Sequence, residues 1–340
     1  MIVISTGCPA GIGPEISVVA ASKTRVPCLL VGDISTLQAA AELVGISRSR
    51  LVLYGGQRLA RADIAVVQAG AKLKRSDRCP GKPTPHSGQA QLEYIETAFD
   101  WVKAHVGSAL VTAPVSKAVI AHSGLRRAEK FLGHTEWLEE RDGARSSTMC
   151  FTTRRFATSL VTTHLPISRV SRAITPARVE TAIFALAELL LRLSIDVPKI
   201  AICSLNPHAG ESFLLGMEEQ KALVPGILRA QRRLGSKAVL TGPVGAETAY
   251  RKAQAGEYNG VVAMYHDQAT IPTKLIAFGK AVNVTWGLSV IRTSVDHGTG
   301  YDIAWSGTAD AQGMISAISM AAATRRAAAP GPARRRSSRR

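Results

Sequence analysis

Aromatic residues are scarce in this 340-residue chain: Phe, Trp and Tyr together make up 5%. That scarcity argues against a β-sandwich, and against a nucleic-acid surface built from stacked aromatic faces. Cysteine is equally uninformative as a scaffold. Cys8, Cys28, Cys79, Cys150 and Cys203 are scattered, with no Cys-x-x-Cys pair, which suggests a reduced, cytoplasmic protein rather than a disulfide or zinc framework. No apolar run reaches the roughly 18 residues of a membrane span. No basic segment precedes an apolar stretch at the start, so no signal peptide is expected. Internal repeats, a dinucleotide fingerprint and a P-loop lysine are also missing.

Acidic residues are outnumbered. There are 25 Asp and Glu against 42 Lys and Arg, a formal net charge of +17. The segment 325–340 holds seven arginines and no acid, so +10 belongs to the rest of the chain. Its Pro, Gly, Ser and like charges predict a disordered basic tail. Such a tail could touch nucleic acid or acidic lipid, but a solvated end without a partner is the simpler reading, and nucleic acid is not the expected partner. The positive charge left in the core suits an anionic substrate and a phosphate-bearing cofactor.

What the chain does contain is alternation. Strands are expected at Ile2–Ser5, Cys28–Val31, Ala62–Gln68, Ala109–Thr112, Phe156–Val161, Ile200–Leu205, Ala238–Leu240, Val261–Met264 and Ala281–Thr285, with a further one at Ser289–Ile291. Helical periodicity lies between them: Ile16 to Ala21, a Ser35-capped helix to Leu43, Gly88 to His105, Pro114 to Ala121, Pro176 to Leu193, Glu218 to Leu234 and Ala309 to Ala323. Strands alternating with helices predict an α/β protein with largely parallel sheets covered on both faces. At this length two α/β/α domains with a cleft between them are expected. The first is taken as 1–128 plus 295–324, and the second as 129–294.

Three histidines stand in short polar motifs: His164 in Thr162-Thr-His-Leu-Pro166, His208 in Asn206-Pro-His-Ala-Gly-Glu211, and His266 in Tyr265-His-Asp-Gln268. Two follow strand-like runs, and side chains at carboxyl ends of parallel strands line the ligand crevice of α/β proteins. Three neutral imidazoles meeting there would leave open positions on a divalent metal, as catalysis requires. Taken singly, each is as readily a loop or core histidine. Gly7-x-x-x-Gly11-x-Gly13 follows a strand and precedes a helix, which suits either an anion or a tight turn with no ligand. In Gly133-His134-Thr135-Glu136 the Thr and Glu fit a capping box as well as a binding site. Lys274, Asn283 and Arg292 sit in apolar, strand-like context, where long cations either snorkel or bind an anion.

Together these motifs resemble the 4-hydroxythreonine-4-phosphate dehydrogenase family of pyridoxal phosphate biosynthesis. The resemblance rests on Pro9–Glu15, Gly133–Glu136, Thr162–His164, Leu205–Glu211, Met264–Gln268, Asn283–Thr285 and Ile291–Thr299. It implies a fold like that of the isocitrate and isopropylmalate dehydrogenases, which bind NAD without the usual fingerprint. It implies that His164, His208 and His266 hold a divalent metal (Zn, Mg or Co), and that His134, Thr135, Lys274, Asn283 and Arg292 bind substrate. Gly242, Glu247 and Asn283 fall to the NAD or NADP site. On chemical grounds Lys274 and Asp267 are the candidates for proton relay. The resemblance further implies a homodimer whose active site is shared, one metal ligand coming from the partner, with His164 and His266 then on different chains. The implied reaction is oxidation of a phosphorylated hydroxy acid, 4-phosphohydroxy-L-threonine, followed by decarboxylation to 3-amino-2-oxopropyl phosphate.

Several positions depart from that family. Cys8 and Glu247 stand where it usually has Asp, and Ser212-Phe-Leu-Leu215 replaces a Gly-Gly-His-like stretch. Ile271–Phe278 is more like paralogues acting on phosphorylated threonate or erythronate, and residues 242–247 resemble the aromatic cis-dihydrodiol dehydrogenases. A metal-dependent hydrolase would also use three histidines but would have no use for NAD.

Overall fold

The computed structural model describes residues 1–326. The expected disordered tail falls outside that range, except that Arg325 and Arg326 continue the last helix. The first half runs β1 (Ile2–Ser5), α1 (Gly13–Lys23), β2 (Cys28–Gly32), α2 (Ile34–Leu43), β3 (Leu51–Leu53), β4 (Ile64–Gln68), α3 (Pro85–Ala104), β5 (Ala109–Thr112), α4 (Lys117–Ala121) and α5 (His134–Asp142). The second half runs β6 (Thr148–Thr152), β7 (Ala157–Leu160), α6 (Ile167–Ala173), α7 (Pro176–Arg192), β8 (Lys199–Cys203), α8 (Val224–Leu234), β9 (Val239–Val244), α9 (Ala246–Gln254), β10 (Gly260–Ala263), α10 (His266–Ala277), β11 (Val282–Trp286), β12 (Arg292–Val295) and α11 (Gln312–Arg326).

The α/β character is as the alternation predicts, and most strand pairs are parallel. The expected separate sheets, however, are one 12-stranded sheet in the order β3-β4-β2-β1-β5-β12-β11-β6-β7-β10-β8-β9. The join is made by three antiparallel pairings in a row, β12 with β11, β11 with β6, and β6 with β7. Three successive reversals turn β7, β10, β8 and β9 against the direction of β1, β5 and β12. Carboxyl ends of the two halves therefore point to opposite edges of the sheet. The single crevice along one edge, expected for a uniformly parallel sheet, is replaced by a site laid across the sheet face.

Both faces are covered, which explains why the strands read as continuous apolar runs. Side chains alternate faces along a strand. Ile2 and Ile4 pack with Val282, Val284, Met314 and Ile318, while Val3 packs with Leu110, Ile95 and Phe99 of the opposite layer. In the second half Ile200 and Ile202 meet Ile183, Leu186 and Leu190 of α7, and Ala201 and Cys203 meet Ala249 and Tyr250 of α9. Each such large side chain contributes about 1.5–3 kcal/mol by leaving water.

Two local expectations change. The second strand is followed by Asp33, not Ser35, at the helix cap: the fully buried Asp33 carboxylate accepts from Thr36 N and Thr36 Oγ1, both at 2.8 Å, and Ser35 Oγ also donates to it. The strand placed at Ser289–Ile291 is Arg292–Val295 instead. Asp33→Ala should therefore cost about 1–2 kcal/mol in chemical denaturation, and Ser35→Ala no more than about 0.5 kcal/mol. Equal losses would return the cap to Ser35.

Candidate active site

The site begins at the join in the sheet. On β12, Arg292 and Ser294 face one way, while Thr293 and Val295 face α11, where Thr293 Oγ1 donates to Ala317 O at 2.9 Å. Register sets Arg292 beside Thr285 and Ser294 beside Asn283 on β11, and Ser294 beside Thr112 on β5. Period-two alternation thus collects Thr112, Asn283, Thr285, Arg292 and Ser294 on the face away from α11. Arg292 is 3% exposed. Its Nη1 donates to Thr285 Oγ1 at 2.7 Å and more weakly to Thr135 Oγ1 at 3.4 Å, and its Nη2 donates to Thr112 Oγ1 at 2.8 Å. Burial lowers the guanidinium pKa to about 10, which leaves it cationic at neutral pH.

His134, the first residue of α5, shares a cavity of about 130 Å³ with Arg292, Lys117, Ser294 and His297. Gly133 brings the backbone within reach of Lys117: a side-chain carbon there would lie 3.3 Å from Lys117 Nζ. Burial holds the His134 imidazole well below its ordinary pKa, and the Arg292 and Lys117 cations push the same way. Three buried polar atoms in this region have no hydrogen-bond partner among the described residues: His134 Nε2, Asn283 Oδ1 and Arg292 Nε. Buried polar groups are nearly always paired. Here three orphans lie on expected binding residues beside Lys117: Arg292 Nε is a donor, Asn283 Oδ1 an acceptor, and His134 Nε2 either according to its tautomer.

The histidines lie further along the sheet. β7 and β10 are parallel neighbours, with Leu160 opposite Ala263. The turns leaving them are therefore about one strand spacing apart, roughly 4.8 Å. Thr162 N and Oγ1 both donate to Met264 O, at 3.2 and 2.7 Å, and fasten one turn to the other. His164 and His266 consequently stand side by side in one chain, ring centroids 5.4 Å apart. The resemblance implied that they serve one site from different chains, whereas here they are already neighbours within one chain. His266 Nδ1 meets Asp267 Oδ1 at 2.7 Å, which leaves Nε2 as its free lone pair. Burial, then Lys117 and His266, lower the pKa of His164 and keep it neutral. Two neutral imidazoles bound to one ion with bonds of about 2.1 Å have ring centroids about 5 Å apart, so this pair fits. His208, exposed in the loop after β8, is not grouped with them: among the described residues no cluster of three His, Cys, Asp or Glu side chains forms a metal site.

Lys274 is not on a strand, as its apolar context suggests, but on α10, which starts at His266 and returns across the sheet face. Its Nζ lies 3.4 Å from Asp296 Oδ2, at the end of β12. The proposed relay partners Lys274 and Asp267 are thus apart, about two turns along the helix, and each has another partner. Burial raises the pKa of Asp296 against the opposing effect of Lys274. Lys274 and Asp296 border a second cavity, of about 400 Å³, with apolar walls that include Ile12, Phe278 and Ile303. The two cavities meet at His297.

Gly242 and Glu247 lie elsewhere. Gly242 is on the edge strand β9, and Glu247 opens α9 and pairs with Arg251 at 3.1 Å. Five strand steps, about 24 Å, separate β9 from Asn283 on β11. Glu247 instead borders a cavity of about 290 Å³ with Asp267 and Gln268. The glycine loop is a tight turn: Cys8 N donates to Pro114 O and Ile12 N to Thr299 O, both at 2.9 Å, and a Cβ on Gly7 would lie 2.4 Å from Pro114 O. Sequence reasoning missed Lys117, Thr112, Asp296 and His297. The Pro114-Val-Ser-Lys117 turn directly after a strand was the available signal for Lys117.

Together these features describe a large α/β protein with a cationic site at the join of an oppositely directed sheet and a histidine pair beyond it. The sequence matches, over residues 24–321, the family described as pyridoxal phosphate biosynthetic protein PdxA. It is 38% identical over 332 residues to a 4-hydroxythreonine-4-phosphate dehydrogenase of Desulfosudis oleivorans, covering 94% of this chain and 95% of that one. The structure superposes on a 4-hydroxythreonine-4-phosphate dehydrogenase from Klebsiella pneumoniae with a TM-score of 0.81 at 32% identity, covering 96% and 99% of the two chains. A terephthalate 1,2-cis-dihydrodiol dehydrogenase from Burkholderia xenovorans gives 0.67 at 28% identity, covering 95% and 97%. The chain belongs to the PdxA family.

The depressed pKa of His134 has a consequence for stability. Unfolded, the imidazole titrates near pH 6.5; folded, it stays neutral to lower pH. Below about pH 6.5 the unfolded chain takes up a proton that the folded chain refuses, so stability falls as pH falls. Urea unfolding of His134→Gln should show a shallower loss between about pH 7 and 5.5 than the parent. Parallel pH profiles would show that His134 is not held neutral.

Proposed function

We propose that the protein is a dehydrogenase that oxidises 4-phosphohydroxy-L-threonine and decarboxylates the product to 3-amino-2-oxopropyl phosphate. The observation that carries this reading is the group of orphaned atoms on His134, Asn283 and Arg292 beside the Lys117 cation. The names of the relatives point the same way.

In this reading Arg292 and Lys117 neutralise the phosphate, with Thr135 and neutral His134 donating hydrogen bonds to it. Charge-assisted bonds are the stronger kind. Asn283 Oδ1 accepts from a hydroxyl or ammonium of the substrate. Lys274, held by Asp296, stands where it can deliver the proton that the carbon requires after carbon dioxide leaves. His164 and His266 of one chain, with His208 of a second copy, would hold a divalent ion that, when bound, acidifies the substrate alcohol and polarises the ketone. NAD or NADP supplies the hydride acceptor, and the apolar cavity beside Lys274 suits one of its nucleotide halves better than the distant Gly242 and Glu247.

Reduction of NAD, followed by absorbance with 4-phosphohydroxy-L-threonine as substrate, is the direct test. Arg292→Ala should raise KM for that substrate by about 10- to 100-fold and change much less with an unphosphorylated alcohol. Equal effects on both would favour a dihydrodiol-type substrate, and hydrolysis without NAD reduction would favour a metallohydrolase.

Subunit mixing tests the shared site. His164→Ala and His208→Ala should each be inactive, yet their mixture should recover roughly a quarter of parental activity after subunit exchange. About half the dimers are then mixed, each with one intact site of two. His164→Ala mixed with His266→Ala should stay inactive, because each site loses one ligand. The reverse pattern would put His266 on the second chain.

A further inference from the structure

His208 sits in an unusual stretch of backbone. His208, Ala209, Glu211, Ser212 and Phe213 have φ of 52°, 53°, 40°, 53° and 79°, and Gly210 between them has 85°. Non-glycine residues adopt the left-handed region sparingly, and persist there only when their surroundings hold them. Five in one loop therefore need an anchor.

The anchor visible in the structure is a carboxylate. Glu219 is 3% exposed and opens a π-helical turn, Glu219–Leu223, ahead of α8. Turns of this kind are rare and are often found at functional sites. Glu219 Oε1 accepts from Leu205 N at 2.9 Å and Asn206 N at 2.8 Å, and Oε2 accepts from Asn206 Nδ2 at 2.9 Å. On the far side of His208, a side-chain carbon on Gly210 would lie 3.1 Å from Glu219 Oε2. Glu219 thus bonds the loop before His208 and lies close to it after His208, while Glu218 Oε2 shares the Asn206 Nδ2 donor at 2.8 Å. No Lys, Arg or His among the described residues forms an ion pair with Glu219, so its charge is balanced by the N–H groups of the loop itself. The strand end that leads into this loop is also held: Gln268 Nε2 donates to Ser204 O at 2.9 Å while its Oε1 accepts from Met264 N at 2.6 Å. Met264 is two residues before His266.

We infer that Glu219 is a positioning residue for His208: its buried carboxylate folds the 205–213 loop into the left-handed form that presents the imidazole for divalent-ion binding. The inference rests on the assignment of His208 as a metal ligand proposed above. It assigns Glu219 no contact with substrate or ion.

The test is Co2+ binding to the metal-stripped full-length protein, followed by titration calorimetry and the cobalt absorption spectrum, alongside thermal unfolding. Glu219→Gln removes one acceptor oxygen and turns an amide N–H2 toward Asn206. It should keep a cooperative unfolding transition but bind Co2+ about 10- to 100-fold more weakly, as loss of an outer-shell support does. His208→Ala should also weaken binding, and the double variant should be no weaker than His208→Ala alone, because Glu219 acts only through His208. If His208→Ala binds Co2+ normally, the metal assignment fails and this inference with it. If His208→Ala weakens binding but Glu219→Gln does not, or if the two losses add, only the role of Glu219 is overturned. Should Glu219→Gln fail to fold, Glu219→Asp keeps the charge but withdraws it by one methylene. Folded Glu219→Asp with weakened Co2+ binding supports the inference, and parental affinity overturns it.

Discussion

A guanidinium buried in a β-sheet with only hydroxyl partners is the constraint on which the site depends. Removing a charge from water is costly unless it is paired. Arg292 finds three threonines, each contributed by a different segment: Thr112 from β5, Thr285 from β11 and Thr135 from α5. Those bonds bring both halves of the sheet and the start of α5 to one point, and still leave a net positive charge inside. Nearby Lys117 adds to it rather than cancelling it, and His134 responds by remaining neutral. The one carboxylate that acts on Arg292, Glu136, is on the exposed side and forms no ion pair with it among the described residues, so the buried part of the pocket is cationic.

The reversal of strand direction has a second effect. Had the sheet been uniformly parallel, His164, His266 and the end of β12 would share one edge. In the actual topology α10 has to span the sheet face, from His266 at one edge to Lys274 beside Asp296 at the other. From His266 to Lys274 the helix advances about 12 Å, close to the length of the short strands beneath it, and the long Lys274 side chain completes the reach. One helix thus carries a member of the histidine pair at its start and the candidate proton donor near its end.

Much of this was legible in the residues. The alternation of apolar strands and amphipathic helices gave the fold class, because strands buried on both faces must be apolar throughout. Where strands serve the site, the same logic misleads. β12 carries Arg292 and Ser294 on one face, so the apolar run just before it, Val290 and Ile291, looked more like a strand than the strand itself. β6 escaped notice because Thr148 and Thr152 dilute its apolar signal, and its antiparallel pairing, which joins the sheet, is a long-range matter. α10 was obscured by Pro272 and by exposed Ile271, Leu275 and Phe278. The histidine motifs announced themselves, but not which of them would be neighbours. That followed from strand order, which no local pattern encodes.

The join also works as a ruler. Between β12, which carries Arg292, and β7, which leads to His164, lie two strands, β11 and β6. Hydrogen-bonded strands hold a fixed spacing, so this interval is about 14 Å between backbones before the side chains lean inward. Loops can lengthen and helices can shift, but the rungs of a ladder cannot be stretched. The spacing of Arg292 from the histidine pair is therefore set by the number of strands at the join, and point substitutions nearby can change it only by the reach of a side chain.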